Sequence, residues 1–289
     1  MRRSFDKLRM TGEVLRMTGG FLAASLLVSF GAPARAATTF PVPAHVVVVI
    51  EENHTLAQIE NTPSARYMNS LFRHGALFTN AHGVTHPSLP NYLALFAGQM
   101  NTNGDDCPEV GVSRNAPNLA TALRAQGRSF VGYADAMPSA GFTGCWAGTY
   151  ARKHAPWVEF ANVPASSSLP FTALRSYDAL PTVAFVIPDV EHDMHDGTIA
   201  QADNWLSTHI APLVAWAKTH DTLVILTWDE GYDSDNDIPT VFIGPMVKPG
   251  RYGEHVDHLR FLRTIEALYG LPTLGRSEKV APIADCWVR

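Results

Sequence analysis

The sequence predicts an α/β fold, with a mostly parallel central sheet and helices on both faces. Apolar β-branched runs such as His45–Ile50 alternate along the chain with amphipathic helical stretches. The runs are apolar at every position, as in strands covered on both faces. Several end directly in polar clusters, and in open α/β sheets the carboxyl edge is where ligands bind. With 289 residues, 46% hydrophobic and 17% charged, the chain can bury one large core.

The chain opens with basic residues, a short apolar run from Phe21 to Phe30, and Ala34-Arg35-Ala36. This pattern predicts a signal peptide over residues 1–36 and export to the periplasm or medium, because the run is too short for a permanent membrane span. Arg2-Arg3 stands too far from the run to decide the export route. Removing residues 1–36 leaves 16 basic and 25 acidic residues, a formal charge of −9. That balance argues against broad nucleic-acid binding and against a stable membrane anchor. The balance leaves room for a small anionic substrate, and the chain is expected to be a monomer. In an oxidising compartment, three cysteines imply one bridge. Cys107 and Cys145 both lie in irregular Gly-rich segments and are the favoured pair, leaving Cys286 near the terminus.

Residues 37–289 read as one domain. The strand His45–Ile50 runs into Glu51-Glu52-Asn53-His54. Ser64–His74 is an amphipathic helix stopped by Gly75, and Ala76–Ala81 a second strand. The next stretch, His86-Pro87-Ser88-Leu89-Pro90-Asn91-Tyr92, begins as a loop and turns helical from Asn91. Ser88 is thus expected just ahead of a helix N-terminus, where unpaired N–H groups favour an anion. Pro117–Gln126 reads as a helix and Ser129–Tyr133 as a strand. Residues 134–168, rich in Gly, Pro, Ser and aromatics, read as an irregular lid. Thr182–Ile187 is a strand ending in the loop Asp189–Gly197, and Ile199–Lys218 one long helix. The strand Thr222–Thr227 ends in Trp228-Asp229-Glu230-Gly231. Pro239–Ile243 is a short strand and His258–Tyr269 the last helix.

Three strands therefore deliver acids or histidines to one edge: Glu52 with Asn53, Asp189 to Asp196, and Asp229 with Glu230. Hard oxygen donors from separate strand ends suit a divalent cation. A serine at the mouth of an anion site suits nucleophilic attack on a phosphoryl group.

These residues carry a resemblance. Glu52-Asn53, His86 to Tyr92, Lys153-His154-Ala155-Pro156, the Asp189–Gly197 loop and Asp229-Glu230 resemble the phosphoesterase family of secreted acid phosphatases and phospholipases C. That family falls within the alkaline phosphatase superfamily. The resemblance implies an alkaline-phosphatase-like fold and metal-dependent hydrolysis of phosphate monoesters through a phosphoserine on Ser88. It implies a divalent metal ion held by Glu52, Asn53, Ser88, Asp229 and Glu230. His192, His195 and His258 are the candidate proton donors to the leaving group. Asn91, His86, His154 and Asp193 are the expected substrate contacts.

Other readings stay open at this point. A phosphodiesterase or phospholipase C would use the same serine and metal, and a non-catalytic binding protein the same scaffold. Asp189, His192, Asp193 and His195 could form a second metal site. A sulfatase is disfavoured, since Tyr92 stands where its motif has Arg. Asp233–Asp237 imitates a calcium loop, but Ile238 replaces its glycine and the stretch reads as a solvated turn.

Overall fold

The computed structural model describes residues 40–100, 104–105, 107–108 and 111–288. The expected signal peptide lies outside the described residues. In chain order the first elements are β1 (His45–Glu51), α1 (Leu56–Ile59), α2 (Arg66–His74), β2 (Ala76–Phe78), β3 (Ala81–His82) and α3 (Ser88–Ala97). Then come α4 (Leu119–Ala125), β4 (Phe130–Ala134), β5 (Trp146–Ala147), β6 (Tyr150–Ala151), β7 (Ser168–Pro170) and β8 (Val183–Ile187). The last are α5 (Ile199–Trp205), α6 (Ala211–Ala217), β9 (Thr222–Trp228), β10 (Thr240–Ile243), β11 (Gly250–Tyr252), β12 (Val256–Asp257) and α7 (His258–Tyr269).

Eight strands form the central sheet in the order β11-β2-β10-β9-β1-β8-β4-β7. Only β10 runs antiparallel to its neighbours in this sheet. The three strands with acidic ends sit side by side at its centre, because β1 pairs in parallel with both β8 and β9. Their carboxyl ends share one edge, and the site is built there. Val46–Ile50, Val183–Ile187 and Leu223–Leu226 are all buried, so both faces of these strands are covered. Phe96 of α3 packs on Phe130 and Phe185 with ring centroids 5.1 and 5.9 Å apart, seating that helix on the sheet.

Several local details depart from the sequence reading. Ser88 is the first residue of α3, with Pro87 as N-cap, so the helix begins three residues before Asn91. Pro90 fits inside that first turn because its missing N–H has no helical partner there. The expected helix Ile199–Lys218 widens into a π-helical segment over Leu206–Ile210. Pro212 follows immediately; it has no N–H for the carbonyl four residues back, and its ring crowds that carbonyl. At the far end of α3, Gly98 adopts φ 64°, and a Cβ there would stand 1.9 Å from the Leu274 carbonyl oxygen. The expected lid is partly built into the sheet, since β7 pairs with β4. Cys107 and Cys145 are bridged, and Cys286 is free and buried. Of the stretch Asp233–Asp237, read as a solvated turn, residues 233–235 are exposed, but Asn236 is buried and accepts from Gly231 N, and half-buried Asp237 accepts from Leu56 N.

Candidate active site

Glu52 follows β1 directly and is fully buried. Its Oε2 accepts hydrogen bonds from Ser88 Oγ at 3.1 Å and Asn53 Nδ2 at 3.2 Å, and its Oε1 accepts from the Tyr92 hydroxyl at 2.6 Å. Ser88 and Tyr92 lie four residues apart and hence on one face of α3. Glu51, the alternative ligand on the same strand, makes neither contact, and both its carboxylate oxygens are buried without hydrogen-bond partners.

Asn53 turns the chain with φ 55° and donates its backbone N–H to Asp229 Oδ1 at 3.3 Å. Glu230 is held at the mouth by His86 Nδ1, 2.8 Å away, and by Asn91 Nδ2 at 3.4 Å. Burial pushes the carboxyl groups of Glu52, Asp229 and Glu230 above their ordinary range. Mutual repulsion adds to this, since Glu52 and Glu230 both raise Asp229.

Such a cluster is costly without a counter-charge. Asp229 Oδ2 is buried with no hydrogen-bond partner, and Asn53, half-buried beside it, brings a carbonyl oxygen of its own. Free hard-oxygen donors among mutually repelling acids fit a divalent cation. Among the described residues, two His/carboxylate groups have ligand atoms within 4.8 Å of one another: Glu52 with His154 and His195, and Asp135 with Asp189 and His192.

The structure revises several expected roles. Asn91 Oδ1 accepts from Val84 N and Thr85 N, and its Nδ2 donates to Thr85 O and Pro87 O. These contacts fix the loop before Ser88, and Nδ2 also reaches Glu230 Oε2 at 3.4 Å, so the side chain stands at the edge of the acid cluster. His154 is 1% exposed, stacked on Tyr92 with ring centroids 5.5 Å apart. It stands 3.2 Å from Glu52 Oε1 and 3.0 Å from Asp193 Oδ2. Neither approach is aligned as a hydrogen bond, because His154 Nε2 and Asp193 Oδ2 both remain unpartnered. Burial pushes the imidazole well below its usual range, with Lys153 and His195 adding to the effect. Asp193 is fully buried and accepts from His195 N, which rules it out as an anion contact.

Of the three candidate proton donors, only His195 reaches the cluster. His192 is paired with Asp189 at 2.6 Å in the separate group with Asp135. His258 is 1% exposed, and its Nε2 donates to the Trp228 carbonyl at 3.0 Å, from where it supports the strand end behind Asp229.

Three residues at the site had no role in the sequence reading. Tyr92, with Leu95 and Phe96, falls on one apolar side of α3 by its spacing, which marks no polar role. Lys153 stood in the quoted Lys-His-Ala-Pro motif without a function; its Nζ contacts Asp105 Oδ2 at 2.8 Å and His195 Nε2 at 3.1 Å. Asp105, in turn, accepts from Leu89 N at 2.9 Å, and no sequence signal marked it.

Known proteins share this chain's features at three levels. The sequence model of the Phosphoesterase family matches residues 60–272. A phosphatidylinositol-3-phosphatase of Mycobacterium tuberculosis is 49% identical over 279 residues, spanning 93% of this chain and 92% of that protein. A probable acid phosphatase of Kluyveromyces lactis is 31% identical over 238 residues, 74% of this chain and 56% of that protein. The chain thus spans little more than half of that fungal relative. Among solved structures, a Vibrio parahaemolyticus protein of the alkaline phosphatase superfamily shares the fold with a TM-score of 0.58 and 14% identity. That match covers 86% of this chain and 72% of the other.

Proposed function

The chain belongs to the Phosphoesterase family and is a phosphoric monoester hydrolase, and from that premise we propose that it works through a phosphoserine formed on Ser88. The observation that carries this reading is the contact of Ser88 Oγ with Glu52, at the N-terminus of α3 and among three buried acids.

A divalent cation held by Glu52, Asn53, Asp229 and Glu230 would favour the ionised serine and offset phosphoryl charge. Ser88 Oγ donates to Glu52 Oε2; with a cation on that carboxylate the hydroxyl proton would pass to solvent, leaving Oγ free to attack. Ser88 Oγ then bonds to phosphorus as the bond to the leaving oxygen breaks, and water later cleaves the phosphoserine to release phosphate. In this reading the leaving oxygen takes its proton from the Lys153–His195 pair, in which Lys153 Nζ donates to His195 Nε2 at 3.1 Å while Asp196 Oδ1 holds Nδ1 at 2.7 Å.

The substrate is a phosphate monoester; the relative named for phosphatidylinositol 3-phosphate makes that lipid a test compound. Export behind a signal peptide over residues 1–36 is part of the proposal, supported by the Cys107–Cys145 bridge, a feature of oxidising compartments. Among the described residues, no helix is long and apolar enough to cross a membrane.

The test is turnover of nitrophenyl phosphate, its diester, phosphatidylcholine and phosphatidylinositol 3-phosphate by the purified mature chain, with and without chelator. The monoesters should be hydrolysed in preference, chelation should stop the reaction, and Ser88→Ala should remove it. A Ser88→Ala enzyme with full rate would end the nucleophile assignment.

A further inference from the structure

Resting on the reading of Ser88 as nucleophile, we propose that the Lys153 ammonium and the Leu89 N–H form the subsite for two phosphoryl oxygens, and that the Asp105 carboxylate competes with substrate for it. Leu89 directly follows Ser88 in the ten-residue α3, where the backbone N–H has no partner within the helix. That N–H is taken by Asp105 Oδ1 at 2.9 Å, while Lys153 Nζ takes Oδ2 at 2.8 Å. One donor to each oxygen is the two-point grip by which donor pairs hold carboxylates and phosphates alike. The protein's own carboxylate is thus seated as an anion would be, one residue from the nucleophile.

Charge makes that seat notable. Glu52, Asp229 and Glu230 surround it, and Asp105 adds to the repulsion on Glu230. A fourth acid is tolerated there because Lys153, whose side chain is only 13% exposed, meets it in a poorly solvated place. The Asp105 side chain is 27% exposed and so has a way out to water.

Lys153 does not depend on Asp105 for its aim. An ammonium only donates, so at 3.1 Å it makes His195 Nε2 the acceptor and leaves the imidazole hydrogen on Nδ1, facing Asp196. With Asp105 withdrawn, this second contact still holds Nζ beside His195, whose ring shares a group with Glu52. The subsite therefore persists when its internal occupant is removed, and the two residues should affect anion binding in opposite directions.

The experiment is calorimetric titration of the metal-loaded mature enzyme with inorganic phosphate. Wild type is compared with Asp105→Ala, Asp105→Asn, Lys153→Met and Lys153→Arg, with thermal melts to confirm folding. Loss of one charge-assisted contact should weaken phosphate binding roughly tenfold in Lys153→Met, and Lys153→Arg should recover part of it. Asp105→Ala should tighten binding about fivefold or more on the same scale, with Asp105→Asn between it and wild type. Weaker binding in both Asp105 variants would show that Asp105 organises Lys153 instead of competing, and would overturn the proposal. So would an unchanged Kd in a folded Lys153→Met. Phosphate affinity needs no turnover, so failure of the nucleophile reading, seen as full activity in Ser88→Ala, is distinguishable from failure of the subsite.

Discussion

Tyr92 donates its hydroxyl to Glu52 Oε1 at 2.6 Å, across 40 residues of sequence and from helix α3 to the end of β1. Burial and the neighbouring Glu52 charge push the phenol well above its usual range, so it stays a donor at every working pH. Removing this hydroxyl should loosen the carboxylate without breaking the fold. Tyr92→Phe is expected to lose about 10- to 100-fold in metal affinity and activity, the usual effect of removing a group that orients a ligand. Calorimetric metal titration beside kcat/KM checks this. A variant with wild-type metal affinity would mean that Glu52 is not a ligand.

The buried acids give a prediction with opposite signs in two states. Asp229 is raised by burial first and then by Glu52 and Glu230. Asp229→Asn removes one of three mutually repelling groups, so the metal-free protein should become more stable, by about 1 kcal/mol. The same variant should lose most of the rise in Tm that a bound ion confers. Thermal melts with and without added divalent cation read both effects. A variant destabilised without metal and stabilised by it as wild type would count against the shell.

Arg152 and Glu159 form a buried bidentate pair, Nε and Nη2 each 2.7 Å from a carboxylate oxygen, and Arg152 Nη1 also donates to the Thr143 carbonyl. The short 3-10 turn Arg152–His154 leads straight from this pair to Lys153 and His154. Arg152→Met or Glu159→Gln should each cost about 3–5 kcal/mol by breaking a buried ion pair, and the double variant less than the sum of the two. Denaturant unfolding measures the stabilities. Phosphate affinity should fall with them, because the Lys153 anchor shifts. Full stability in either single variant would refute the role given to this pair.

The architecture was legible because its signals are local. A run such as Val46–Ile50 declares a strand covered on both faces by composition alone, and three such strands ending in acids place a site at one sheet edge. The places of Glu52 and Asn53 at a strand end and of Ser88 near a helix N-terminus were legible in the same way, whereas the roles proposed for them rest on the resemblance. What escaped were relationships across space. Tyr92 fitted the apolar stripe of its helix, and nothing in that periodicity tells an aromatic in the core from one whose hydroxyl meets a carboxylate. Asn91 and His154 have residue types suited to binding substrate, yet burial turns one to the loop backbone and wedges the other between Glu52 and Asp193. The π-helical widening at Leu206–Ile210 also escaped, because the helical spacing continues across it although Pro212 lies close behind.

His258 supplies the pH dependence. Its Nε2 hydrogen goes to the Trp228 carbonyl, and Nδ1 is buried with no acceptor near it, so a second proton would have no partner. Burial pushes the imidazole down to about 4 from an ordinary 6.5. Between those values the unfolded chain holds a proton that the folded one refuses, so stability falls as pH falls. The loss begins near pH 6.5 and approaches about 3 kcal/mol once pH is below the folded value. His258→Gln, which keeps a donor but cannot titrate, should show a flatter decline. Unfolding free energies from pH 7.5 to 4.5 should differ in slope between wild type and variant by close to one proton over the lower part of that range. Parallel slopes would mean that His258 takes its proton in the folded protein as readily as in the unfolded chain, and that its seat beneath Trp228 is not the dry one described above.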